Sequence, residues 1–181
     1  GIPALAVDPR DPNRVFAAVL GHPYGPNEER GIFLSTDGGQ TWQKSLYINE
    51  NVGGSDVEID PSNPAVVYAS LWEVRLGPWE DGNQYNGTGG GLFKSTDGGK
   101  TWQDISAGLP RSHFVTVLRA DPVRAGLVYA GTDDGAYVSF DEIIGHVEHL
   151  KFAPRAKGTH GAFVNTLPAQ TDARWDVVSS A

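Results

Sequence analysis

The chain has 181 residues, 20% of them charged and 39% apolar, which suits a soluble globular protein with a sizeable core and excludes a disordered one. Its net charge of −8 leaves no cationic field for a phosphate backbone, and no apolar run reaches the ~20 residues of a membrane helix, so neither nucleic-acid binding nor membrane insertion is expected. It has no Cys, which excludes disulfides, thiolate metal sites and cysteine nucleophiles, and its 23 Gly and 12 Pro argue against long helices.

The opening segment Gly1-Ile2-Pro3-Ala4-Leu5-Ala6-Val7 is too short for a signal peptide and lacks a basic flank. With no Met anywhere, the chain reads as part of something longer. Ala6-Val7-Asp8-Pro9 through Val15-Phe16-Ala17-Ala18 then reads as a strand, an Asp-Pro turn and a second strand ending in aromatic-Ala. A loop follows, containing Gly21-His22-Pro23-Tyr24-Gly25, and then Gly31-Ile32-Phe33-Leu34-Ser35-Thr36-Asp37-Gly38-Gly39-Gln40-Thr41-Trp42.

The same two elements return without gaps. Glu58-Ile59-Asp60-Pro61 leads to Val67-Tyr68-Ala69-Ser70, and Gly91-Leu92-Phe93-Lys94-Ser95-Thr96-Asp97-Gly98-Gly99-Lys100-Thr101-Trp102 follows after an inserted loop. In this second unit the strands are expected at about 55–59, 66–71, 91–95 and 101–106, with Val57/Ile59 and Leu92/Lys94 showing period-two alternation. A third unit runs from Arg119-Ala120-Asp121-Pro122 through Val128-Tyr129-Ala130-Gly131 to Gly135-Ala136-Tyr137-Val138-Ser139-Phe140-Asp141, then breaks off at Glu142. Asp97 to Asp141 spans 44 residues, within the ~40–50 of one propeller blade; Asp37 to Asp97 spans 60, the excess being the inserted loop. The expected fold is all-β: a partial β-propeller of about three four-stranded antiparallel blades, near 3–50, 55–107 and 113–141, the third diverged.

Ser35, Asp37, Gly39, Thr41 and Trp42, and again Ser95, Asp97, Gly99, Thr101 and Trp102, fit Ser-x-Asp-x-Gly-x-Thr-Trp. In this the chain resembles the Asp-box, or bacterial-neuraminidase-repeat, propeller family, and in particular bacterial secreted glycosyl-hydrolase-like and sortilin-type members. His22-Pro23-Tyr24-Gly25-Pro26-Asn27-Glu28-Glu29-Arg30-Gly31 adds to the likeness. The resemblance implies secretion or a periplasmic place, and an Asp-box lying away from any active site. The residues themselves support a structural role. An Asp in a tight turn accepts backbone N–H groups, paired glycines allow positive φ, and the Trp buries a large face that anchors the hairpin.

Candidate chemistry lies in the long loops. A glycosidase needs two carboxylates ~5–10 Å apart about a sugar. The segment Leu71-Trp72-Glu73-Val74-Arg75-Leu76-Gly77-Pro78-Trp79-Glu80-Asp81-Gly82 offers Glu73, Glu80 and Asp81 as the nearest catalytic candidates. Trp72 and Trp79 could stack on sugar rings, with Arg75, His22 and Tyr24 as further ligand contacts. Both loops join equivalent strands and should emerge on one face. The arginine triad and Phe-Arg-Ile-Pro segment of a sialidase are missing from this stretch. His146-Val147-Glu148-His149 with His160 matches no zinc-protease spacing, Asp81-Gly82-Asn83 lacks the rest of a calcium loop, and Gly89-Gly90-Gly91 precedes a strand, so no metal or cofactor is expected.

From Glu142 the repeat fails. Residues 1–141 carry 10 basic and 18 acidic residues, whereas 142–181 carry 4 and 4, and the tail reads as diverged or as part of a further blade. Three blades cannot close a ring of ~4–8, so the remaining blades of a longer parent are expected partners. The leading functional expectation is a carbohydrate- or protein-binding scaffold. The alternatives are part of a glycoside hydrolase with its catalytic carboxylates largely outside this chain, and a sortilin-like peptide-binding propeller.

Overall fold

A computed structural model describes residues 1–22, 24–77, 84–109, 112–133, 135–139 and 147–150, with Gln84 and 147–150 through their backbone. Three antiparallel sheets follow one another along the chain. Sheet 1 is β1 (Ala4–Val7), β2 (Val15–Val19), β3 (Gly31–Ser35) and β4 (Gln43–Leu46). Sheet 2 is β5 (Val52–Ile59), β6 (Val67–Leu76), β8 (Gly91–Ser95) and β9 (Gln103–Asp104), with β7 (Gln84–Asn86) paired to the far end of β6. Sheet 3 is β10 (Val115–Ala120), β11 (Val128–Thr132), β12 (Ala136–Ser139) and β13 (Val147–Leu150). The architecture is the all-β stack of four-stranded blades that the repeat implies. Among the described residues no helix is long and apolar enough to cross a membrane.

Each Asp-Pro turn closes in the same way. Asp8 accepts the N–H of Arg10, Asp60 those of Ser62 and Asn63, and Asp121 those of Val123 and Arg124. The side chain thus caps the turn that sends the chain back along the sheet. The Gly-Gly turn of each of the first two sheets docks on the neighbouring Asp-Pro turn: Gly38 N–H donates to Asn13 O at 2.9 Å and Gly98 N–H to Ala65 O at 2.8 Å.

Alternation sorts every strand into a face looking back along the chain and a face looking forward. Phe16, Ala18, Ile32 and Leu34 of sheet 1 meet Val57, Ile59, Ala69 and Phe93 of sheet 2 in one core layer. Tyr68 and Leu92, on the other face of sheet 2, meet Leu118, Ala120, Ala130 and Tyr137 of sheet 3 in a second. Sheets 1 and 2 touch closely enough to demand glycine: a Cβ on Gly54 would lie 2.5 Å from the Gly31 carbonyl oxygen. Polar bonds cross the same seams. Trp102 Nε1–H donates to Ser45 Oγ at 3.1 Å, Ser45 Oγ–H donates to Gly99 O at 2.6 Å, and Ser55 Oγ–H donates to Val115 O at 2.8 Å.

The structure differs from the sequence expectation chiefly in two places, and β9 keeps only Gln103–Asp104 of the expected 101–106. The insertion in sheet 2 is not all loop, because β6 continues through Trp72 to Leu76 and pairs with β7, Arg75 opposite Tyr85. Backbone pairing satisfies peptide groups that a loop would have left to water. In the third sheet, Val147–Leu150 supplies a fourth strand beside β12, although these residues carry no trace of the repeat. The strands suggested at Ala162-Phe163-Val164 and Trp175-Asp176-Val177-Val178 lie outside the described residues.

Candidate functional site

The β2–β3 loop and the β6–β7 hairpin occupy equivalent places in adjacent sheets and come together around one side chain. Arg30 is fully buried. Its Nη1 donates to Asn51 O (2.9 Å) and Val74 O (3.0 Å), and its Nη2 donates to His22 O (3.0 Å) and Gly25 O (3.2 Å). One guanidinium thus ties the loop carrying His22 to the strand carrying Trp72, Glu73 and Arg75. Burial pushes the Arg30 pKa down and the nearby Arg75 charge adds to that. Four carbonyl dipoles are what keep the cation stable in place of a carboxylate. The sequence carried Arg30 only within the 22–31 stretch and gave it no role, because the repeat puts Gly90 at the same position in sheet 2.

Trp72 lies over Phe114 with ring centroids 4.1 Å apart and planes at 9°, and its indole N–H donates to Asn86 Oδ1 at 3.1 Å. One ring face and the polar edge are therefore engaged, and the indole pins the hairpin to the segment entering β10. Glu73 sits beside it. Its carboxylate accepts the Gly89 N–H at 2.8 Å and its carbonyl accepts the Gly87 N–H at 2.8 Å. A Cβ on Gly87 would fall 2.1 Å from the Glu73 carboxyl carbon, so only glycine lets this carboxylate fold under the hairpin end. The crevice between Trp72, Glu73, His113 and Phe114 encloses about 20 Å³, room for little more than one water. His113 Nδ1 is 3.2 Å from Asp133 Oδ1.

The outer side of the hairpin is open. Arg75 is exposed and reaches Asn51 Oδ1; Tyr85, its cross-strand partner, is exposed, as are Asn86 and Thr88. Across the seam His22 and Tyr24 are exposed on the neighbouring loop. These side chains offer aromatic faces, amide and guanidinium donors on one rim, the groups that recognise a neutral polyol. Tyr85 was not singled out in the sequence; the signal was its standing inside the insertion, two residues into a strand that the glycines concealed. Trp79, Glu80 and Asp81 lie outside the described residues.

The two Ser-Thr-Asp-Gly-Gly turns are near copies. Ser35 Oγ–H donates to Asp37 Oδ1 (2.7 Å), Gly39 N–H to Ser35 Oγ (2.8 Å), Thr41 N–H to Asp37 Oδ1 (2.9 Å) and Thr41 Oγ1–H to Asp37 Oδ2 (2.5 Å). Ser95, Asp97, Gly99 and Thr101 repeat each bond. The Thr41 hydroxyl and N–H, then Ser35, hold the Asp37 carboxyl down at about 2, and the same set from Thr101 pushes Asp97 lower still. Carboxylates so engaged are poor proton carriers near neutrality. Trp102 reaches across to Ser45 of the preceding sheet, whereas Trp42, 41% exposed, bonds only its own turn at Gly39 O. Among the described residues no cluster of three His, Cys, Asp or Glu side chains is placed to hold a metal ion.

No protein-family model matches the chain. Among curated proteins it is similar to the xyloglucanase Xgh74A of Acetivibrio thermocellus, 32% identical over 116 residues, and to a xyloglucanase of Paenibacillus sp, 30% identical over 115. Each alignment covers 59% of this chain but 12% and 10% of the relative, so the chain spans about a tenth of their length. Among solved structures it resembles the GH74 enzyme of Niastella koreensis (TM-score 0.56, 21% identity, 83% of this chain and 22% of that one). It also resembles YCF48 from Cyanidioschyzon merolae (TM-score 0.54, 20% identity, 82% and 39%). Both neighbours are β-propeller proteins, and the fold of this chain is that of a β-propeller segment.

Proposed function

We propose that this chain forms three consecutive blades of a secreted Asp-box propeller that acts on polysaccharide, and that it supplies a glycan-binding wall while the catalytic carboxylates stand elsewhere in the parent. The carrying observation is the 32% identity to a xyloglucanase over 116 residues. The wall is the rim of Arg75, Tyr85 and Asn86 on the hairpin with His22 and Tyr24 on the loop beside it, and the ligand class is a β-glucan such as xyloglucan. Glu73 serves the wall from beneath, since its carboxylate is committed to the Gly89 N–H. Asp37 and Asp97 serve as turn formers.

The test is a reducing-sugar assay and a binding assay run together on xyloglucan. The chain should bind the polysaccharide without releasing reducing ends. Arg75→Ala and Tyr85→Ala should each weaken binding about tenfold, the loss of one or two polar or stacking contacts. Turnover that disappears in Glu73→Gln or Asp81→Asn would instead place catalysis on this chain. A peptide receptor of the sortilin type would bind extended peptides and ignore xyloglucan. If all these substitutions are silent in the intact parent protein, the wall is not there.

A further inference from the structure

The first strands of the three blades differ on their forward faces, and blades 2 and 3 differ in a complementary way. In register, Ala4 and Ala6 of β1 correspond to Asp56 and Glu58 of β5 and to Val117 and Arg119 of β10. Blade 1 keeps two alanines on the forward face, as close sheet packing asks. Blades 2 and 3 carry a Glu and an Arg at the same place. The three strands converge there around a groove of about 390 Å³, lined by Ala4, Leu5, Asp56, Glu58, Thr116 and Arg119 among others. That volume falls in the ~300–1,000 Å³ range of ligand sites.

The floor of the groove is hydrogen-bonded throughout its buried carboxylate. Asp56 is buried; its Oδ2 accepts the Leu118 N–H at 2.7 Å and the Arg119 Nη1–H at 3.0 Å, and its Oδ1 lies 2.9 Å from the Val57 N–H. Glu58 is different. Its carboxylate stands 3.9 Å from Arg119 Nη1, too far for a hydrogen bond, and accepts none from a described residue. Burial raises its pKa, against the pull of Arg119. Arg119 is more than half exposed and shows part of its donor fork to the groove.

We propose that this groove is a second binding site, for a neutral polyhydroxyl group the size of one sugar residue. Hydroxyls donate to Glu58 and accept from Arg119, satisfying both at once. An anion would meet Asp56 and Glu58 in a chain of net charge −8, and a cation would meet Arg119 set between them. The site is separate from the hairpin rim. It takes from the glycan reading only the class of ligand.

The test is a backbone-amide NMR titration of the 181-residue chain with cellobiose in the millimolar range. Saturable shifts are expected at Val57, Glu58 and Leu118. Glu58→Ala should weaken them at least tenfold with an unchanged melting temperature, because alanine is what blade 1 carries at that position. Glu58→Gln, which keeps the volume, should weaken them less, and Arg75→Ala should leave them alone. Shifts confined to residues 72–76 and 84–88 would support the hairpin wall and overturn the groove. Shifts confined to the groove would do the reverse. Groove shifts that survive in Glu58→Ala would also overturn the proposal.

Discussion

Asp37 gathers the Thr41 N–H, the Thr41 hydroxyl and the Ser35 hydroxyl, and these bonds favour its ionised form in the folded chain alone. The folded value, about 2, is below the ordinary carboxylate value near 4, so the stabilisation is complete above pH ~4 and is lost as pH falls toward 2. Thermal melts from pH 6 to pH 2 should therefore show a steep acid limb. Asp37→Asn should melt lower at pH 7 and show a shallower limb; an unchanged limb would remove the turn from the account. The Trp72–Phe114 stack makes a second prediction. A double-mutant cycle of Trp72→Ala and Phe114→Ala in urea should return a coupling of about 1 kcal/mol, beyond the area each ring buries. These residues differ in how far the sequence reveals them. The turn was legible because every donor and acceptor falls within seven consecutive positions, Ser35 to Thr41. Trp72 was legible as an aromatic in an insertion, but its partner was not, since Phe114 arrives from the next sheet and no local pattern couples them.

At the level of elements, the hairpin and its clamp carry the site. Arg30→Met would leave four carbonyls, those of His22, Gly25, Asn51 and Val74, without their donor. A loss of about 3 kcal/mol or more is expected, and hydrogen exchange should accelerate in the 21–29 loop and at β6 residues 74–76 together. Acceleration in one without the other would contradict a shared clamp. The strands of the second sheet, β9 apart, lie close to their expected ranges because Asp-Pro turns, glycine pairs and period-two apolar residues punctuate them. The extension of β6 was not expected, because Trp72, Glu73 and Arg75 read as loop composition, and because β7 pairs across a connection too long for a short hairpin signature. Strand β13 was missed for a related reason. Its pairing with β12 is a backbone event, and Val147-Glu148-His149-Leu150 lacks the Thr-Trp that marks the fourth strand elsewhere.

Across the whole molecule, the repeat says what the outer faces are for. Leu5 of blade 1 aligns with Val57 of blade 2 and Leu118 of blade 3; the latter two are 2% and 1% exposed, whereas Leu5 is 62% exposed. Forward of blade 3 the same holds for Tyr129, 41% exposed where Phe16 and Tyr68 are buried. On the reading proposed above, these are the faces on which further blades stack. Leu118→Ala should accordingly cost about 2–5 kcal/mol in this chain, and Leu5→Ala, the same change at an equivalent position, no more than about 0.5. Equal losses would mean that blade 1 is already covered. The fold was legible at this scale because a repeat multiplies a weak strand signal by its copies. The site was legible only as two loops, since its clamp and the groove charges depend on where the blades differ rather than on where they agree. The most direct test of the glycan wall is calorimetric titration of the 181-residue chain with a xyloglucan oligosaccharide. The account predicts saturable binding that Arg75→Ala and Tyr85→Ala each weaken about tenfold, with no hydrolysis of the titrant. Absence of binding at millimolar oligosaccharide, or binding indifferent to both substitutions, would contradict it.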